Sequence, residues 1–269
     1  MRPSRKVSKI YYVSVLYPQR IRHAQSPISF PLTGCHDSDL AKQKQASLYP
    51  PRSTWQLRRG VPLIWINGCP GSGKLTVATA LVTLHKEAIV LDNHKLIDPV
   101  EARFPRSHPG YRRERKSYRQ AVLDEYVCDA AMLSRLVVFT GKVSPLIDKI
   151  LLKGDYLFNQ DFQSDNDRGR EVATEYQDAA RRAGRAFIPV YLTCDLRASL
   201  ERVDNIDRVK GGTGKLTDGE VLRDLRSRCE LFRFESSELT IDSTNASPSE
   251  IARETLASLS DSDGWEERV

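Results

Sequence analysis

The stretch LIWINGCPGSGKLTVATAL, residues 63–81, joins an apolar run to a glycine-rich turn and then to a segment rich in Ala, Val and Leu. The apolar run ending in Gly predicts a buried strand and the segment after it a helix, so the turn must carry the chain from one to the other. Gly68, Cys69, Pro70, Gly71, Ser72, Gly73 and Lys74 match G-x-x-x-x-G-K, the phosphate-binding loop, in the strand–turn–helix setting that the loop requires. Its glycines let the backbone wrap closely round phosphate oxygens, and Lys74 reaches the β and γ oxygens. The helix that follows points its first N–H groups and positive dipole end at the same anion. In the usual pattern Ser or Thr follows the lysine directly and its hydroxyl reaches Mg²⁺. Here Leu75 stands in that place, and the hydroxyl of Thr76 comes one residue late.

The alternation of strand and helix signals continues along the chain. AIVLD (88–92), RLVVFT (135–140), AFIPVYLT (186–193) and LTID (239–242) read as further strands. Helices are expected over 111–134, about 167–183, 196–203 and 218–232, with a last one from Ser249. Such alternation implies right-handed βαβ units. The expected fold class is α/β, a three-layer P-loop NTPase fold with a five-stranded, mostly parallel sheet and helices on both faces. One domain is expected over 61–269. Residues 1–60 have no sustained period and contain SPISFP and YPPRS, which marks them as a disordered or targeting extension.

The late hydroxyl has a parallel. Adenylate kinases and their relatives carry G-x-P-G-x-G-K-G-T, and GCPGSGKLT resembles that version with Leu75 in place of the small residue. Over about 61–245 the chain is similar to P-loop small-molecule kinases of the adenylate, shikimate and gluconate kinase type. It also resembles fungal and bacterial ATP-binding proteins with a GKLT loop, through its own GKLT, DNHKLIDPVEA, DFQSDN and KLTD. The resemblance implies an ATP-dependent phosphotransferase that moves the γ-phosphoryl group to a small-molecule acceptor, with ATP and Mg²⁺ as cofactors. It gives Lys74 a catalytic role and makes Gly68, Cys69, Pro70, Gly71, Ser72, Gly73, Lys74, Leu75 and Thr76 the nucleotide cradle. Thr76 is the implied metal residue, with Mg²⁺ held more through water and phosphate than directly.

In such kinases an acid after the second strand meets the acceptor, which points to Asp92, with Asn93, His94 and Asp98 beside it. Asp92 is placed to orient the acceptor hydroxyl or take its proton; a turn or helix-capping role is the alternative. A phosphate-closing lid is expected in RVDNIDRVKGGTGKLTDGE, where hinge glycines lie among Arg202, Arg208, Lys210 and Lys215. Arg202 is then a nucleotide-binding candidate and Arg208 a catalytic one; a solvated charged loop is the alternative. The GKLT within this segment has Val209 where the loop pattern needs Gly, so it is no second phosphate cradle. The YRRERKSYR helix sits where such kinases bind acceptors, which makes Arg112, Arg113 and Arg115 candidates for an anionic acceptor, against ordinary surface charge.

The third strand of these kinases usually ends in an acid near the Mg²⁺ water shell, and Asp161 would fill that place if it followed directly. Residues 143–160, VSPLIDKILLKGDYLFNQ, intervene. Lys142-Val143-Ser144 can be encoded AAG-GTA-AGT and Asn159-Gln160 AAC-CAG, the donor and acceptor ends of an in-frame intron. The segment therefore reads either as translated intron or as a genuine insertion. Leu75 and the displaced Asp161 favour a second reading, a nucleotide-binding regulatory protein without transfer activity.

Composition narrows the partners. Residues 1–60 hold 11 Lys/Arg against Asp37 and Asp39, and the remaining residues hold 30 basic and 33 acidic groups, so the +6 net charge belongs to the N-terminal segment. No nucleic-acid partner is expected for the core. No apolar run approaches the ~20 residues of a membrane span. Cys35, Cys69, Cys128, Cys194 and Cys229 lie far apart and read as reduced thiols of a cytoplasmic protein. The first 36 residues hold six Lys/Arg and no acid, which fits a mitochondrial transit peptide as the alternative.

Overall fold

The computed structural model describes residues 60–141, 163–205, 216–235 and 239–263. The expectations placed on 1–59, on 143–160, and on Asp161, Arg208, Lys210 and Lys215 lie outside the described residues.

Five strands, β1 (Gly60–Gly68), β2 (Ile89–Asp92), β3 (Val137–Thr140), β4 (Arg185–Thr193) and β5 (Leu239–Asp242), form one sheet in the order β2-β3-β1-β4-β5. Every pairing is parallel. The described helices are α1 (Lys74–Leu84), α2 (Asn93–Glu101), α3 (Tyr111–Leu123), α4 (Asp167–Arg182), α5 (Leu196–Val203), α6 (Gly219–Arg228) and α7 (Pro248–Asp263). This is the α/β, P-loop architecture expected from the alternation, with β1 and its glycine loop at the centre of the sheet.

The period of two along each strand divides the core. Ile64 and Ile66 of β1, with Val138 and Val190, pack under Val77, Ala78 and Leu81 of α1 and Ile251, Ala252 and Leu259 of α7. Leu63 and Trp65 point to the other face, with Phe139 and Tyr191, and meet Leu96 and Val100 of α2, Tyr118 and Val122 of α3 and Tyr176 of α4. Both layers are therefore covered, as a parallel sheet with apolar strands demands. Trp65 anchors the second face, with Phe234 at 5.7 Å between ring centroids and Tyr191 edge-on at 6.2 Å. Pro189 is tolerated in β4 because β5 pairs with it only from Val190 onward.

Three helix boundaries differ from the sequence pattern. The helix expected over 111–134 ends in a single π-helical turn, Asp124–Cys128. Asp129 then turns extended and its carboxylate accepts from Ala131 N at 2.8 Å, starting a new short turn. The helix expected over 218–232 stops at Arg228, because the next residues bond sideways: Leu231 bridges Ser164, and Phe232 N donates to Gln163 O at 2.9 Å. Residues 93–101, to which no element was assigned from the sequence, form α2, whose Leu96, Ile97 and Val100 are buried; Pro99 inside the helix hid the pattern.

Arg185, 5% exposed, fastens the sheet at the end opposite its loops. Its guanidinium donates to the carbonyls of Val127 (2.9 Å), Val61 (2.7 Å), Arg135 (2.8 Å) and Met132, and burial pulls it below its usual range. No described helix is long and apolar enough to cross a membrane.

Candidate functional site

The phosphate loop leaves the carboxyl end of β1 and is held from below. Asn67, fully buried, accepts at Oδ1 from Gly68 N (3.0 Å) and Gln163 N (3.2 Å), while its Nδ2 donates to Gln163 O (2.9 Å) and Phe232 O (3.3 Å). One side chain thus fixes both the start of the loop and the segment at 163. Gly71 and Gly73 have φ of +83° and +84°, the left-handed region that favours glycine. A Cβ on Gly71 would lie 2.7 Å from Ser199 O of α5, so the loop is seated on that helix; a Cβ on Gly73 would meet nothing within 4 Å, leaving the concave side open. Lys74 Nζ lies over the loop, donating to Gly68 O at 2.5 Å and Cys69 O at 3.1 Å. Burial pushes the Cys69 thiol above its ordinary range, against the opposing pull of Lys74 and Arg226, which leaves it a neutral lining group.

Leu75 packs against the apolar cluster shared by α1 and α7, and Thr76 is exposed on the first turn of α1. The missing hydroxyl is therefore replaced by a packing contact. Asp92 and Thr140 are register partners at the carboxyl ends of β2 and β3, with Thr140 Oγ1 donating to Asp92 Oδ1 at 3.4 Å. Phosphate loop, Asp92 and Thr140 thus share one edge of the sheet, where open α/β sheets bind ligands. The exposed hydroxyl of Thr76 is a hard oxygen donor, the type that Mg²⁺ takes in small number alongside phosphates and water, and it fits that ion.

Arg202, expected in the lid, instead braces the loop from α5. Its guanidinium donates to Gly71 O (3.2 Å), Ser243 O (2.7 Å) and Thr244 O (3.0 Å). Ser243 Oγ donates to Ser72 O at 2.9 Å, closing the link between the loop and the end of β5. Of the KLTD copy, Leu216 is buried with Val203, Leu222 and Leu225 in a small separate core.

Beside Asp92 a cleft of about 550 Å³ opens between α3 and α4. Asn93, Arg112, Arg113, Arg115 and Lys116 come to it from α2 and α3, Gln163 and Ser164 from the segment before α4, and Arg168 from α4; Arg119 and Glu171 also line it. Asp92 itself is not among the lining residues, whereas its neighbour Asn93 is. Three cations are paired with carboxylates: Lys116 Nζ lies 2.6 Å from Glu171, the buried Arg119 2.7 Å from Glu175, and the exposed Arg113 3.4 Å from Glu114. Burial, and then the like charges of Arg112 and Arg115, pull the Arg168 guanidinium below its usual range. Asn93 Oδ1 and Gln163 Oε1 are buried without a hydrogen-bond partner.

Arg112, Arg113 and Arg115 are thus brought together as the sequence suggested. Asn67, Thr140, Gln163 and Arg168 were not singled out there. A polar residue ending the apolar run LIWIN, and the polar run FQSDNDRGR before a helix, are the signals that would have marked Asn67, Gln163 and Arg168.

No protein-family model matches the chain, and no curated protein matches it. Among solved structures it is similar to a tunicamycin resistance protein from Deinococcus radiodurans (15% identity, TM-score 0.43, 74% of this chain and 95% of that one). A gluconokinase from Sinorhizobium meliloti is similar at 18% identity and TM-score 0.43, over 76% and 93% of the two chains. A shikimate kinase from Acinetobacter baumannii in complex with shikimate is similar at 20% identity and TM-score 0.44, over 78% and 99%. Likenesses this distant say nothing of substrate, and the reading of the site below stands on the chain's own geometry.

Proposed function

We propose that the protein is a phosphotransferase that moves the γ-phosphoryl group of ATP to the hydroxyl of a small molecule bound in the α3–α4 cleft. The observation that supports it is a glycine loop with an overlying lysine at the carboxyl end of β1, Asp92 at the carboxyl end of β2, and a cation-lined cleft that Asn93, the next residue, helps to line. In this reading the acceptor oxygen bonds to the γ-phosphorus, the bridging bond to the β-phosphate breaks, and the hydroxyl proton passes to Asp92. ADP leaves. The loop amides and Lys74 hold the phosphates, Arg202 and Ser243 keep the loop rigid, and Asn93 meets the acceptor beside Asp92. Such chemistry asks the protein for placement and electrostatics more than for covalent steps. Mg²⁺, held near Thr76 through water and the phosphates, would neutralise charge on the β and γ oxygens. Arg208 and Asp161 keep their proposed roles as lid cation and metal-shell acid.

The test is incubation of γ-³²P-labelled ATP and Mg²⁺ with a metabolite extract, using the wild type and Lys74→Ala. Label moving to a small molecule with the wild type, and falling at least about a thousandfold in Lys74→Ala, supports transfer. Nucleotide binding without transferred label supports the regulatory reading that Leu75 motivates. Equal transfer by both proteins removes the loop from the mechanism.

A further inference from the structure

The cleft is lined by six cations, Arg112, Arg113, Arg115, Lys116, Arg119 and Arg168, against two carboxylates, Asp167 and Glu171. Its pairings are uneven. Lys116 and Arg119 are neutralised across the α3–α4 seam, while among the described residues Arg112 and Arg168 have no carboxylate partner. Arg168 is half-buried and close enough to Arg112 and Arg115 to be pulled down by their charge, after burial itself. Crowded guanidiniums repel one another, and the arrangement becomes favourable once an anion sits between them. A carboxylate brings one negative charge; a phosphate monoester brings close to two, with three strong acceptor oxygens that suit forked guanidinium donors.

A second observation concerns hydrogen bonding. Asn93 and Gln163 line the same cleft, each is 5% exposed, and the amide oxygen of each is buried with no partner. A buried acceptor without a donor is left with its desolvation uncompensated. Both oxygens call for O–H or N–H groups on a ligand, and Asn93 adjoins Asp92.

We infer that the acceptor is a hydroxyl-bearing phosphate monoester, its phosphate held by Arg112, Arg115 and Arg168 and its hydroxyls by the amide oxygens of Asn93 and Gln163. The fate of the ligand rests on the phosphotransferase reading; its binding does not. On that reading, attack of its hydroxyl on the γ-phosphorus releases ADP, passes the proton to Asp92 and leaves a product with two phosphoryl groups.

The test uses three matched probes, glycerol 3-phosphate, glycerate and glycerol, titrated calorimetrically into the full chain without nucleotide. Glycerol 3-phosphate is expected to bind at least about tenfold more tightly than glycerate, with no measurable binding of glycerol. Arg168→Gln is expected to weaken glycerol 3-phosphate about tenfold, and Arg112→Gln, at an exposed position, to weaken it less with an unchanged thermal melt. Lys74→Ala is expected to leave it unchanged. Equal affinity for glycerate, no binding of the phosphate ester, or loss in Lys74→Ala but in neither arginine variant each overturns the inference. A phosphate ester that binds as described yet gives no doubly phosphorylated product with ATP contradicts the transfer reading and leaves the site standing.

Discussion

Lys74 and Arg168 are both cations on the carboxyl edge of the sheet, yet they are held by opposite means. Lys74 is 8% exposed and bonded to two carbonyls of its own loop. The loop is in turn seated on α5 and tied to the end of β5 through Arg202 and Ser243. Arg168 is half-buried among like charges, with no carboxylate of the described residues in an ion pair with it. The contacts to its backbone give the loop its shape, although the Ser72 hydroxyl is itself buried without a partner. The cleft carries unbalanced charge and two amide oxygens without a protein partner, the groups that the proposed ligand would meet. On the proposed reading, rigid geometry belongs to the nucleotide side and chemical selectivity to the acceptor side.

Substitutions on the two sides should therefore separate. Gly71→Val forces a side chain into the left-handed region and against Ser199 O, and should cost about 3 kcal/mol or more of stability along with ATP binding. Urea unfolding and nucleotide titration check it; an unchanged midpoint would mean that the loop is not seated on α5. Asp92→Asn, at the end of β2, should lower kcat about a hundredfold while ATP affinity stays within about twofold. Equal loss of both would make Asp92 a structural residue of the strand end. The smallest effect is expected behind the loop, where Asp195 caps α5 by accepting from Ala198 N at 2.7 Å. Asp195→Ala should cost about 1 kcal/mol of stability and leave the cleft's ligand affinity alone. A change in the cleft without a change in stability would join the two regions that the geometry keeps apart.

The two regions also differed in how far their residues could be read from sequence. Loop, strand and helix of 63–81 are contiguous, and glycine spacing carries the backbone conformation directly, so Gly71, Gly73 and Lys74 were legible. The five strands were legible too, because a buried parallel sheet needs near-continuous apolar runs. The cleft joins α2, α3, the residues around 163 and α4, and only tertiary packing sets Asn93 beside Arg168. Arg112, Arg113 and Arg115 could be named because they cluster on one helix; for Gln163 and Arg168 the polar run FQSDNDRGR marks the segment but does not say which of its residues face the cleft. Arg202 was read as a lid cation because it stands near glycines and other cations. Sequence cannot show that its donors are spent on Gly71, Ser243 and Thr244. Leu75 was the loop's one anomaly, and its burial with α7 depends on a helix more than 170 residues further along.

The most direct test of the account is a calorimetric titration of ATP with Mg²⁺ into the wild type and Lys74→Ala, both with the same thermal melt. The account predicts saturable binding to the wild type and a loss of at least about tenfold in affinity on removing the lysine. Equal affinity in the two proteins would show that the glycine loop is not the nucleotide site, and the phosphotransferase reading would fall with it.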